Sequence, residues 1–120
     1  MAGNESVFRA EGRYECRQDS VTVSYKQDAD SVELVATKRA FSMSRKGETG
    51  LSMVFCGGEE TRATLTAAGG EGYLCIFTEK YERRRLADGF CITLKYELGV
   101  PQNAERYHLE IFVKTDSEEK

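Results

Sequence analysis

Apolar and polar residues alternate along most of this chain. Val21, Val23 and Tyr25 are interleaved with Ser20, Thr22 and Ser24, and Phe41 and Met43 with Ser42 and Ser44. Phe90, Ile92, Leu94, Tyr96 and Leu98 keep the same phase against Cys91, Thr93, Lys95 and Glu97. Tyr107, Leu109, Ile111 and Val113 repeat it, with Phe112 as the one interruption. A repeat of two residues is that of a strand with one buried face. No window sustains the i, i+3, i+4, i+7 spacing of an amphipathic helix. Turn-forming clusters separate the runs, among them Gln18-Asp19, Gly57-Gly58 and Ala87-Asp88-Gly89. The pattern predicts strands over 7–17, 20–27, 32–38, 40–46, 51–56, 60–67, 72–83, 89–98 and 104–114. Gaps this short leave no room for crossovers, so the strands must form an antiparallel meander. Eight or nine of them crowd an open twisted sheet, and closure removes its edges. The expected fold is all-β, a single antiparallel up-and-down barrel of eight to nine strands. Residues 7–115 form that domain, between polar tails at 1–6 and 116–120 that are expected to fray.

The phase of each run names an inward face. It predicts a core of Tyr25, Leu34, Phe41, Met43, Leu65, Tyr73, Phe77, Phe90, Ile92, Leu94, Tyr96, Leu109 and Ile111. In the fifth strand Leu51, Met53 and Phe55 carry more apolar area than Val54 and Cys56, so they are placed inside. Cys75 shares the phase of Tyr73 and Phe77 and is expected to be buried and inert. Outward Val35, Val54, Leu74 and Ile76 would then make an apolar patch outside the barrel.

One inward position is charged. Arg45 is in phase with Phe41 and Met43, and an unpaired buried guanidinium would cost several kcal/mol. Three placements follow. Arg45 plugs one end of the barrel by bonding carbonyls or a carboxylate, it holds an anion in a ligand cavity, or it lies past the strand end in solvent. Tyr25, Tyr73, Tyr96 and Tyr107 are the polar groups that could line such a cavity with it. A barrel of this strand number is just filled by its own side chains or holds one small ligand, and the bulky inward residues point to a packed or narrow lumen.

Composition narrows the classes. The chain has 120 residues and a net charge of −3, enough for one domain with one core. Hydrophobic content of 40%, with 6 Tyr and 6 Phe, excludes a disordered chain. No apolar stretch approaches the ~20 residues of a membrane helix. The mildly acidic balance argues against a nucleic-acid coat or a membrane-surface binder. Lys80-Tyr81-Glu82-Arg83-Arg84-Arg85 is a local basic cluster, but Glu79 and Glu82 interrupt it, so it reads as a solvated hairpin tip. The start Met1-Ala2-Gly3-Asn4 has neither a basic region nor an apolar one, which argues against a signal peptide and for the cytoplasm. Cys16, Cys56, Cys75 and Cys91 form no CxxC, so no zinc or redox motif is expected and the thiols are read as reduced.

Several short segments occur together in order: Glu11-Gly12-Arg13-Tyr14, Val23-Ser24-Tyr25-Lys26, Phe41-Ser42-Met43-Ser44-Arg45-Lys46-Gly47, Met53-Val54-Phe55, Glu71-Gly72-Tyr73, and Ile92-Thr93-Leu94-Lys95-Tyr96-Glu97-Leu98. In that order they resemble the YwiB-like family, small bacterial calycin-type β-barrels of unknown function. The resemblance runs over about residues 8–114. Gln27 stands where the family pattern has an acidic residue, and Ala67-Ala68-Gly69-Gly70 where it has Tyr and Pro. The resemblance implies a calycin- or lipocalin-like barrel and carries no activity with it.

Catalysis is not expected. The single histidine, His108, is out of phase with Tyr107, Leu109 and Ile111 and reads as a solvent-facing residue without a cleft. The chain is therefore read as a non-enzymatic accessory or interaction module without a cofactor, able to dimerise through an exposed strand. The alternative is a barrel for a small anionic or amphipathic ligand held near Arg45.

Overall fold

The structure is a computed structural model, and it describes residues 11–100 and 102–114. Nine strands follow one another: β1 (Gly12–Arg17), β2 (Ser20–Gln27), β3 (Asp30–Ala36), β4 (Ala40–Lys46), β5 (Gly50–Cys56), β6 (Glu60–Ala67), β7 (Gly70–Leu86), β8 (Gly89–Val100) and β9 (Asn103–Lys114). Each pairs antiparallel with the next, in a single sheet whose strand order is the sequence order. The meander curls into a half-barrel, consistent with a calycin-like up-and-down barrel. The expected tails, and residues 7–10 of the first expected strand, lie outside the described residues. Two-residue turns join β1 to β2 and β2 to β3, with Gln18 and Asp28 at positive φ, as tight hairpin turns require at their first position.

The buried core takes one residue in two from most strands: Val21, Val32, Leu34, Ala36, Phe41, Met53, Phe55, Ala63, Ile76, Phe90, Ile92 and Leu94. Phe41, Phe55, Ile76, Ile92 and Leu94 are wholly enclosed. Aromatic rings run through the interior in one line. Tyr81 lies 6.4 Å from Phe41, Phe41 lies 6.0 Å from Phe55, and Phe55 meets Tyr96 edge-on at 4.7 Å. Such tilted and edge-on pairs are the arrangements that ring quadrupoles favour. Side chains also draw the sheet's ends together, since Tyr14 on β1 packs 6.1 Å from Phe90 on β8.

The expected phase holds for most strands, including the placement of Met53 and Phe55 inside. Strand β7 corrects it. Tyr73 and Phe77 are exposed, Cys75 with them, and Leu74, Ile76 and Thr78 take the inward positions. The lumen, already occupied by Phe41, Phe55 and Tyr96, accepts the smaller side chains of β7 and leaves its aromatics outside, where Tyr73 lies under the Arg62 guanidinium at 4.8 Å. The expected outer patch therefore loses Ile76 to the core, Leu74 and Val35 are partly buried, and Val54 stays exposed. Leu65 has inward phase but lies near the end of β6 and is exposed.

A β-bulge then reverses the phase of β7. Thr78 pairs with Tyr96 and Lys80 with Lys95, so Glu79 is an extra residue on the β7 side. Beyond it Tyr81 and Arg83 turn toward the interior and Lys80 and Glu82 do not. One inserted residue exchanges the two faces of everything that follows.

Candidate functional site

Polar side chains close both ends of the half-barrel. At the first end the inward row crosses the strands as Gly12, Tyr25, Val32, Arg45 and Leu51. Arg45 Nε donates to Asp30 Oδ2 at 2.6 Å, a charge-assisted bond between the penultimate residue of β4 and the first residue of β3. The two side chains are 37% and 20% exposed, so the pair sits at the rim and not in the core. Gly47 makes the geometry feasible: a Cβ there would lie 1.8 Å from Asp30 Oδ1. Burial pushes the Tyr25 hydroxyl above its ordinary pKa, and the Arg45 charge pulls it part of the way back.

At the opposite end Arg83 Nη1 donates to the carbonyls of Ala36 and Asp19, each at 3.2 Å. Tyr81 donates to the carbonyl of Thr37 at 2.5 Å. These contacts tie β7 to the ends of β2 and β3 across the interior. Of the three placements open to Arg45, the bond to a carboxylate at one end is the one present, and Arg83 makes a corresponding contact at the other. Arg45 closes one end against a carboxylate, and Arg83 closes the other against carbonyls. Arg83 is also withdrawn from the basic cluster read as a hairpin tip, which leaves Arg84 and Arg85 exposed.

The five residues expected to line one pocket do not meet in one. Arg45 and Tyr25 share an end of the barrel. Tyr96 packs on Phe55 in the interior, with its hydroxyl pushed up by burial. Tyr107 is exposed, stacks on Tyr96 at 5.3 Å and donates to Glu105. Tyr73 is 52% exposed and donates to Glu71 on the outside.

Outside the barrel, next to the Arg45 end, lies a groove of about 530 Å3. Two outward rows line it, Arg13–Ser24–Glu33–Ser44 and Lys26–Ser31–Lys46, with Tyr25 and Val32 at its edge. Three cations and three serines face two carboxylates there, Glu11 and Glu33. Asp30, Tyr81 and Arg83 escape sequence reasoning. Asp30 reads as part of a turn, and the bulge that turns Arg83 inward shows in the sequence only as the adjacent polar pair Glu79-Lys80.

Among the described residues no cluster of His, Cys, Asp or Glu could hold a metal ion. No helix there is long and apolar enough to cross a membrane. All four cysteines are free.

An antiparallel up-and-down sheet, curled around a core rich in aromatic rings and tied at its ends by Arg45 and Arg83, is a barrel-like domain. The chain belongs to the family described as DUF1934, a domain of unknown function, which matches residues 2–111. Neither the curated proteins nor the solved structures give a match.

Proposed function

We propose that this protein is a non-enzymatic accessory or interaction module of the cytoplasm, a YwiB-like barrel of calycin type whose interior holds the fold and whose exterior does the work. The observation that carries this reading is the line of rings from Tyr81 through Phe41 and Phe55 to Tyr96, which takes up the space where a calycin would hold a ligand. The inward guanidinium Arg45 already has a carboxylate partner in Asp30. Arg83 Nη1 donates to two of the chain's own carbonyls, which weakens the reading of its segment as a nucleic-acid surface.

A second reading has its own observation. The outer groove by the Arg45 end, with Arg13, Lys26 and Lys46 around it, suits a small anionic ligand better than the lumen does. Native mass spectrometry of gently purified protein separates the two. The first reading expects the bare chain mass. A stoichiometric small-molecule adduct that disappears in a Lys26→Glu, Lys46→Glu variant would replace it with the second.

A further inference from the structure

We propose that β9 is a homotypic interface, in which two copies of this chain pair their β9 strands antiparallel about His108 and join two nine-stranded sheets into one. This rests on the reading of the barrel as an interaction module and names its partner as a second copy. β9 runs twelve residues, and among the described residues it is hydrogen-bonded to β8 alone. Its other edge therefore presents a row of backbone donors and acceptors. Several devices that blunt such an edge are missing, although β9 carries charged side chains. β9 contains no proline, shows no register shift against β8, and has a lysine only at its last residue. Phe112 and Tyr107 stand exposed along it, Phe112 at 58%. The edge at the other side of the sheet, β1, is half as long at six residues.

Charge sets the register. Two identical antiparallel strands are related by a two-fold axis, so one residue choice fixes every facing pair. With His108 on the axis, Arg106 faces Glu110 of the second copy twice per dimer, and Tyr107 faces Leu109. An axis on Tyr107 would set Arg106 against His108, and an axis on Glu110 would set two carboxylates against each other. An axis on Leu109 would leave Arg106 opposite Phe112. Opposite charges directly across a strand pair attract and like charges repel, so the His108 axis is the one that pairs the guanidinium. Within one copy Arg106 lies 3.5 Å from Glu97 and 3.7 Å from Glu79, and Glu110 lies 3.4 Å from His108. The new pairs extend that outer network across the axis.

The test uses sedimentation equilibrium together with cysteine trapping in a Cys16→Ser, Cys75→Ser background, which removes the two exposed thiols. Directly facing residues stand roughly 4.5–5.5 Å apart at Cα, within disulfide reach. His108→Cys should cross-link rapidly under mild oxidation, and Glu110→Cys, which faces Arg106, should not. Arg106→Glu should weaken dimerisation about tenfold, and Arg106→Glu with Glu110→Arg should restore it. A monomer at every concentration overturns the proposal and leaves the edge to another occupant, either the chain's own first ten residues or a different protein. A dimer indifferent to Arg106→Glu, or one that traps Glu110→Cys as readily as His108→Cys, overturns it as well. Neither result touches the module reading, which fails on a bound small molecule instead.

Discussion

Three consecutive arginines give the sharpest test of how β7 is built. The bulge at Glu79 aims Arg83 inward, and leaves Arg84 and Arg85 exposed. Replacing each in turn by Met removes the guanidinium and keeps most of the aliphatic stem. In Arg83→Met the carbonyls of Ala36 and Asp19 lose their donor. Hydrogen bonds from a charged donor contribute about 1.5–3 kcal/mol each when shielded, and much less at the surface. The Ala36 bond is partly buried and the Asp19 bond is exposed, so only the first counts in full. The expected loss is about 2 kcal/mol, or roughly 8 °C in Tm for a domain of this size. Arg84→Met and Arg85→Met should each fall within about 0.5 kcal/mol of the parent. Urea unfolding followed by far-UV circular dichroism reads all three. Equal losses at the three positions, or a neutral Arg83→Met, would refute the inward placement and with it the phase reversal at Glu79.

Three further outcomes follow from particular contacts. Thr78 is wholly buried and its Oγ1 has no hydrogen-bond partner, so Thr78→Val should leave stability unchanged or raise it by about 1 kcal/mol in the same unfolding assay; a clear loss would reveal a missed acceptor. Asp30→Ala should destabilise by about 1 kcal/mol, discounted for the exposure of the pair, and a double-mutant cycle with Arg45→Met should show that most of this loss is shared. Burial raises the pKa of Tyr25, Tyr81 and Tyr96 above the ordinary 10.0. The unfolded chain releases these protons first, so stability is intact below pH 10, falls as pH rises beyond it, and is lost through the folded-state values. Tyrosinate absorbance should then rise at higher pH in the folded protein than in the unfolded chain, and a folded-state rise at the ordinary value would contradict the burial of these rings.

The sequence made the meander legible because period-two alternation and turn residues are local signals. Strand limits at β2, β4 and β6 coincide with the expected ones. The inward phase was legible wherever one face was plainly apolar, as in Phe90, Ile92 and Leu94. It failed on β7, where Tyr73 and Phe77 on one face compete with Leu74 and Ile76 on the other. Local apolar area favours the aromatics, but the volume left by Phe41 and Phe55 on distant strands decides otherwise. The ends of the barrel were half legible. Arg45 announced itself by its phase, while its partner Asp30 is fifteen residues away and Arg83 reaches Ala36 across forty-seven. Contacts of that range are set by the curl of the whole sheet, which no short window contains.

The account depends on that curl bringing β4, β5, β7 and β8 around one aromatic interior. Nuclear Overhauser contacts between side-chain protons measure it most directly. The structure predicts cross-peaks between the rings of Phe41 and Tyr81 and between those of Phe55 and Tyr96, pairs that lie on strands not adjacent in the sheet. A well-dispersed spectrum with hairpin contacts between neighbouring strands but neither of those two ring pairs would contradict it.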